Sequence, residues 1–352
     1  MAESHGTRID RITPVVLCGG SGSRLWPRSR NERVKPFLPL VGKETLFEQT
    51  LERCGDRRYF DHPVIVTGAA YLDHARSEPA ARQAPSIIVE PEAKNTAAAV
   101  ALAALRVPSE AILLVVPSDH YITDVPKFVE CARAAAQLAS EGWLVCFGIC
   151  PRTPETRFGY VRRGEPLPGG GFTVRQFVEK PDLARAASFI ASGDFAWNGG
   201  IYAFRAGDYL TELRRYRPKL VEAAVAAVRD GVDEGGLFHP NPEAFNAISP
   251  ESIDYAVMEH TDRGAMVEAD FGWSDIGTWC AVQGARARDE HGNSSRGPVE
   301  LLDCRNVLVE SDGPRVSVIG LEDAIVVVDG NDIMITTVEA AQRVNKLKTA
   351  RR

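Results

Sequence analysis

The sequence predicts an α/β protein with a parallel sheet, followed by a small all-β appendage. Through the first two thirds of the chain, short β-branched apolar runs alternate with longer Ala- and Leu-rich segments. The runs are too uniformly apolar for a half-exposed sheet, so they fit strands buried on both faces and joined by helical crossovers. After about residue 290 the texture changes to short strand-like stretches separated by Asp, Gly and Asn.

Residues 15–17, 64–67, 87–89, 112–116 and 144–148 read as the buried strands. Between them, 95–106 and 127–140 are expected helices; Thr96 or Asn95 can cap the first, and Pro126 opens the second. An alternating strand at 172–179 precedes a helix at 182–192, a short strand at 201–204 and helices at 208–216 and 220–230. Ser249 and Pro250 announce a further helix at 253–259, and 278–286 is another. Past a charged, turn-rich stretch at 286–298, strands are expected at 299–302, 306–310, 316–319, 324–328 and 333–336, closed by a helix at 339–348. The division expected is a first domain over 1–290 and a β-rich module over 291–352 that ends in a helix.

Composition narrows the function. A formal charge of −6 over 352 residues argues against a protein built to hold nucleic acid, which usually carries a basic excess. The seven cysteines, at 18, 54, 131, 146, 150, 280 and 304, form no CxxC pair. That disfavours a disulfide framework or structural zinc and suits a reducing cytoplasm. No apolar stretch opens the chain, and the longest apolar runs, such as 111–116, fall far short of the ~20 residues of a membrane span. Neither a leader nor a membrane partner is expected.

Chemistry concentrates at four places. The first strand runs into Gly19-Gly20-Ser21-Gly22-Ser23-Arg24, a glycine-rich loop in which backbone N–H groups can approach a polyphosphate without Cβ atoms in the way. Glycines there could make only a tight turn, but Arg24 and Lys35 add the positive charge an anion needs. The GK[ST] of a Walker A loop is missing, and Leu25 stands where GxGxxG requires its last glycine. At the tip of the most apolar strand, Pro117-Ser118-Asp119-His120 offers a carboxylate suited to Mg²⁺, or a cap for the following turn. His120 reads as a structural neighbour rather than a ligand. Glu179-Lys180-Pro181 and Trp197-Asn198-Gly199-Gly200 offer acceptors and donors for sugar hydroxyls and a cation for a phosphate. Asp275, in Gly272-Trp273-Ser274-Asp275, is either a second metal carboxylate or the cap of the next helix.

In this order the blocks resemble the sugar-1-phosphate nucleotidyltransferases, and within that family the mannose-1-phosphate guanylyltransferase branch. The resemblance rests on GGSGSRLWPRSR followed by Lys35, VEPEAKNTAAAVALAAL, VVPSDH, FGICPRTPETRFGYVRRG, FVEKPDLARAASFIASGDFAWNGGIYAFRA, SIDYAVME and GWSDIGTW, from about Thr13 to Trp279. It implies a Rossmann-like nucleotidyltransferase domain with a mixed, mostly parallel sheet, and a small left-handed β-helix-type module behind it. It implies GTP and α-D-mannose 1-phosphate as substrates, Mg²⁺ as cofactor, and GDP-mannose and pyrophosphate as products. Carried over by position, Gly19, Gly20, Gly22, Ser23 and Arg24 wrap the triphosphate. Lys35 neutralises charge at the reacting phosphoryl group. Glu90, Asn95, Pro117 and Ser118 line the guanosine side, and Asp119 and Asp275 hold the metal. Gly159, Glu179, Lys180 and Asn198 hold the sugar phosphate, with Lys180 catalytic beside Arg24 and Lys35.

The sequence departs from that branch at Ser23, Pro36, Ala98 and Gly199, where it commonly has Thr, Gln, Pro and Ser. The alternatives are therefore the same chemistry on glucose 1-phosphate with UTP or dTTP or on a heptose 1-phosphate with GTP, or a nucleotide-sugar-binding regulator without turnover. Longer members carry a cupin-like isomerase domain that this sequence lacks, so no isomerase activity is expected. Exposed edges of the β-rich tail suggest a homodimer through that module.

Overall fold

The computed structural model describes residues 11–19, 23–30, 33–77 and 85–351; of Ser23 and Arg351 only the backbone is described. These residues form two compact units. One draws on Met1–Gly19, Thr50–Ser118 and Ile122–Trp273, the other on Gly20–Gln49, Asp119–Tyr121 and Ser274–Arg352.

The first unit is built on one eleven-stranded sheet. In chain order its strands are β1 (Thr13–Cys18), β2 (Val64–Gly68), β3 (Ser86–Glu90), β4 (Ile112–Pro117), β5 (Leu144–Ile149), β6 (Tyr160–Pro166), β7 (Phe172–Val178), β8 (Phe195–Arg205), β9 (Val232–Glu234), β10 (Leu237–His239) and β11 (Gly264–Ala269). They lie in the order β9-β10-β3-β2-β1-β4-β8-β5-β11-β7-β6. The block β10-β3-β2-β1-β4 is parallel throughout; the apolar runs predict β1 to β4, whereas β10 was not expected. β8 then inserts antiparallel to both β4 and β5, and β5 pairs parallel with β11. The sheet is therefore mixed around a parallel core.

Two departures from the expected elements bear on the site. Residues 195–200 lie inside β8 rather than before a short strand. Asn198, Gly199 and Gly200 have poor strand propensity, but pairing with neighbours on both sides overrides it. The helix expected at 253–259 is a π-helical turn, Asp254–Met258, an irregularity that recurs at functional sites. The expected helices at 95–106 and 127–140 appear as α3 (Asn95–Leu105) and α4 (Val125–Ser140), after α1 (Leu46–Arg53) and α2 (Leu72–Ser77). Ala97–Ala104 of α3 are all buried, as an apolar surface all round demands. Neither expected cap closes α3 in the usual way. Asn95 Oδ1 accepts from the next N–H, while Ala97 N donates to Glu251 O at 3.1 Å. Pro126 opens α4 as predicted, and Asp124, not foreseen, caps it by accepting from Lys127 N. Farther on are α5 (Leu183–Ser192), α6 (Ala206–Tyr216), α7 (Pro218–Arg229) and α8 (Pro242–Asn246).

In the second unit α9 (Trp279–Ala285) leads to β12 (Ser294–Arg296), β13 (Val299–Leu302), β14 (Leu308–Ser311), β15 (Val316–Ile319), β16 (Ala324–Asp329) and β17 (Asp332–Thr337). Strands pair with the next but one, in parallel: β12 with β14, β14 with β16, and β13 with β15. β17 returns antiparallel on β16. The closing helix is 3₁₀, Glu339–Lys346, not α. One core joins Leu25, Trp26, Leu40, Trp279, Leu308 and Ile325, so chain from the N-terminal fifth packs with the β-rich tail.

Candidate active site

In the first unit the register aligns the C-terminal ends of the parallel strands. Cys18 pairs with Thr67, Gly68 with Glu90, and Leu17 with Pro117. The edge thus presents Gly19, Glu90, Pro117 and Ser118 together, where an open α/β sheet binds ligands. Gly19 is exposed, and a Cβ there would meet nothing. Gly20 and Gly22 lie outside the described residues, as does the Ser23 side chain. Ser118 donates its N–H to Leu17 O at 3.1 Å and is 1% exposed, and its buried hydroxyl has no hydrogen-bond partner among the described residues. Asn95 is exposed and holds a left-handed backbone, φ 67°.

Glu90 Oε1 is buried without a hydrogen-bond partner, and burial raises the carboxyl from 4.5 to about 7. Below pH 4.5 both folded and unfolded chains carry the proton. Between there and pH 7 the unfolded chain ionises first, so this stability contribution is lost as pH rises through the folded value. Glu90→Gln should be more stable than wild type at pH 8, by at most about 3 kcal/mol, and no different at pH 4. Thermal melts of the two proteins at both values check this; equal melting at pH 8 would refute it.

In the second unit, Lys35 opens a 3₁₀ turn, Lys35–Phe37. Pro36 lies in a first turn whose N–H groups lack intrahelical partners anyway, and Phe37 packs edge-on against Phe47 at 5.3 Å. The Lys35 side chain is 8% exposed, and its ammonium donates to Asp119 Oδ2 at 2.7 Å and to the main-chain oxygen of Asp275. Burial of Asp119 opposes its charge, but the Lys35 and His120 charges and the Lys35 hydrogen bond outweigh that and hold the carboxyl below its ordinary range. Asp119 is therefore ionised at neutral pH.

Asp275 presents its carbonyl to Lys35 because of the residue after it. Ile276 has φ 43°, an outlier for a β-branched side chain, which costs on the order of 1–3 kcal/mol. Its side chain is fully buried in the second unit's core, a gain of about 2 kcal/mol that offsets the strain. The Asp275 carboxylate accepts from Gly277 N at 3.2 Å. Thr278, not Asp275, caps α9. Arg24 is half-buried and has no ion-pair partner among the described residues.

The third group lies wholly in the first unit. Asn198, 9% exposed, takes the Gly159 carbonyl with its N–H at 2.8 Å. Its Nδ2 donates to Asp254 Oδ1 at 2.8 Å and to the Tyr202 hydroxyl at 2.7 Å, and Tyr202 in turn donates to Asp254. Burial, then Asp254, drives the Tyr202 phenol far up, so it stays a donor. Glu179 has a 7% exposed side chain paired with the Lys180 ammonium, and burial, then Asp254, raises its carboxyl. Lys180 is 57% exposed and left-handed at φ 47°. Four predicted residues, Gly159, Glu179, Lys180 and Asn198, are thus brought together. Asp254 and Tyr202 were not foreseen. The block SIDYAVME carried Asp254 in plain view, but a helix-like pattern gave no reason to single it out.

Among the described residues no group of three or more His, Cys, Asp or Glu could hold a metal alone. Asp119 and Asp275 nevertheless suit Mg²⁺, a hard cation that takes one or two carboxylates and leaves the remaining positions to water and phosphate oxygens.

Comparison with known proteins supplies the family. The nucleotidyl transferase family model matches residues 13–291. A mannose-1-phosphate guanylyltransferase of Sinorhizobium fredii is 37% identical over 352 residues, 98% of this chain and 69% of the relative. The alginate biosynthesis protein AlgA of Pseudomonas aeruginosa is 40% identical over 343 residues, 95% of this chain and 70% of the relative. The chain thus spans about 70% of the length of both. A solved Thermus thermophilus protein, described as a mannose-1-phosphate geranyltransferase, superposes with a TM-score of 0.85 at 32% identity, covering 96% of this chain and 98% of that one. With its mixed sheet, glycine-rich strand end and buried Lys35, the chain belongs to the nucleotidyl transferase family.

Proposed function

We propose that this chain transfers GMP from GTP to α-D-mannose 1-phosphate, giving GDP-mannose and pyrophosphate. The observation that carries the reaction class is the buried Lys35 ammonium, fixed by the Asp119 carboxylate and the Asp275 main-chain carbonyl. Mannose and guanosine are supported by relatives named mannose-1-phosphate guanylyltransferase at 37% and 38% identity.

The sugar phosphate brings its own anionic nucleophile, so the protein needs no base. An ammonium has three donor hydrogens; two of Lys35's are taken, and the third is left for a phosphate oxygen. Because the amine is already oriented, little reorganisation is needed as charge shifts toward pyrophosphate. Arg24 adds a fixed cation, with Gly19, Gly20, Gly22 and Ser23 offering main-chain donors to the triphosphate. Asp119 and Asp275 would hold Mg²⁺, which when bound neutralises charge on the triphosphate and its leaving group. Glu90, Asn95, Pro117 and Ser118 line the guanosine side. The Glu179–Lys180 pair and Asn198 hold the sugar phosphate, Lys180 offsetting the repulsion between two anions.

Gly159 tests the sugar-phosphate assignment. A Cβ there would lie 2.5 Å from Glu179 Oε2 and 3.1 Å from Asn198 Cβ. Gly159→Ala should push the Glu179 carboxylate aside and raise the KM for the sugar phosphate about tenfold, with the KM for the nucleotide unchanged. A variant with both constants at wild-type values would remove Gly159 from the site.

The alternating parallel strands of 294–329 support a left-handed β-helix-type module at 291–352, behind a catalytic domain at 1–290. Exposed Leu302, Ile319, Ile333 and Ile335 support self-association through it. Buried thiols such as Cys54 and Cys146, in no disulfide, support a cytoplasmic home, and no helix among the described residues is long and apolar enough to cross a membrane. Pyrophosphate release measured across a matrix of nucleoside triphosphates and sugar 1-phosphates tests the whole reading. GTP with mannose 1-phosphate should be the best pair. A better glucose or heptose pair would replace the substrates, and tight binding without release from any pair would make the protein a regulator.

A further inference from the structure

We propose that Asp329 and Glu310, far along the β-rich tail, are positioning residues for the triphosphate-binding segment; this rests on the reaction assigned above. Both carboxylates are 2% exposed, and all their partners named here lie in the same unit. Asp329 Oδ1 takes Arg28 Nη1 at 2.8 Å and lies 3.4 Å from Arg33 Nη1. Asp329 Oδ2 takes Arg30 Nη2 at 2.7 Å, and the same nitrogen donates to the Asp329 carbonyl at 3.0 Å. Glu310 stands 2.9 Å from Arg28 Nε and 2.5 Å from Arg286 Nη2. Three arginines between Arg24 and Lys35 are thus tied to one carboxylate.

The chain just beyond Lys35 is held from the tail as well. Arg286 Nε donates to Leu40 O at 2.7 Å, and Arg296 donates to Pro39 O. Just after Arg24, Trp279 Nε1 donates to Trp26 O at 2.9 Å.

Stability alone is a poor account of such an arrangement. Burying ion pairs carries a desolvation cost that apolar residues of similar volume avoid, whereas charge-assisted hydrogen bonds from two arginines to the two oxygens of one buried carboxylate fix direction. What these pairs hold is Arg28, Arg30 and Arg33, which lie in the sequence between two cations that must meet one triphosphate. A displacement of about 1 Å at such groups can cost up to 10²-fold in rate. The tail therefore positions the catalytic segment, acting through Arg28, Arg30 and Arg33.

The test uses the full chain and the pyrophosphate assay with saturating Mg²⁺. Asp329→Asn should raise the KM for the nucleotide and lower kcat, reducing kcat/KM for it at least tenfold, with the KM for the sugar phosphate within twofold of wild type. A merely structural carboxylate would lower the melting temperature and leave the constants of the folded fraction unchanged; that result overturns the inference. Should Asp329→Asn not fold, Arg30→Gln decides, because Arg30 is 40% exposed and its loss leaves the Arg28 pair intact. It should show the same nucleotide-side shift, recovered in good part by Arg30→Lys, and unchanged constants would again overturn the proposal. Wild type that releases no pyrophosphate from any pair overturns the assigned reaction and this inference with it. Active wild type with unaltered Arg30→Gln and Asp329→Asn overturns this inference alone.

Discussion

Lys35→Ala is expected to lower pyrophosphate release by about 10²–10³-fold, the cost of removing one preorganised donor from a site of developing charge. The variant should also be less stable, because Asp119 loses the cation 2.7 Å away that keeps its buried carboxyl charged. Breaking a buried pair costs about 3–5 kcal/mol, and with Asp119 26% exposed the loss should fall at or below the low end. The sign with pH follows from the depressed Asp119 value. That stability is present above the unfolded carboxylate range and disappears as pH falls through the folded value, so the gap between variant and wild type should narrow in acid. Lys35→Ala/Asp119→Asn separates the two effects. It should recover most of the stability and none of the rate. Recovery of rate in the double variant, or near-normal turnover in Lys35→Ala, would remove Lys35 from the chemistry.

The parallel core was legible because its signal is local. A strand such as Ile112–Pro117, buried along its length, has to be a continuous apolar run wherever it lies. The glycine loop, Lys35, Asp119 and Asp275 were legible as residue types, but not as the arrangement they make. Read separately, Lys35 looked like a phosphate ligand and Asp119 like a metal ligand. Folded, each holds the other, because a half-buried carboxylate and a buried ammonium are costly apart. Asn198 was legible as a residue, but the strand that carries it was not, because its glycines argue against a strand and only neighbours in the sheet make it one. Asp329 was beyond reach for a simpler reason. Its partner Arg28 is 301 residues away, and nothing in either local pattern points to the other. Local chemistry was readable; long-range pairing was not.

Asp275→Ala should produce a loss of similar size with a different signature. The carbonyl that orients Lys35 belongs to the backbone and survives the substitution. The carboxylate's own hydrogen bond, from Gly277 N, is worth about 1 kcal/mol, and the left-handed turn at Ile276 is anchored mainly by its buried side chain. The fold should therefore lose little, with melting close to wild type. Turnover should fall about 10²–10³-fold, as when one charge-stabilising group is taken from the transition state. If the carboxylate helps hold Mg²⁺, the Mg²⁺ concentration giving half-maximal rate should rise as well, which Lys35→Ala should not show to the same degree. Asp119→Ala should combine both defects, since Asp119 anchors the ammonium and is the other carboxylate proposed to hold Mg²⁺. An Asp275→Ala protein that melts like wild type, turns over like wild type and needs no more Mg²⁺ would leave Asp275 a turn residue, with Asp119 the single carboxylate assigned to the metal.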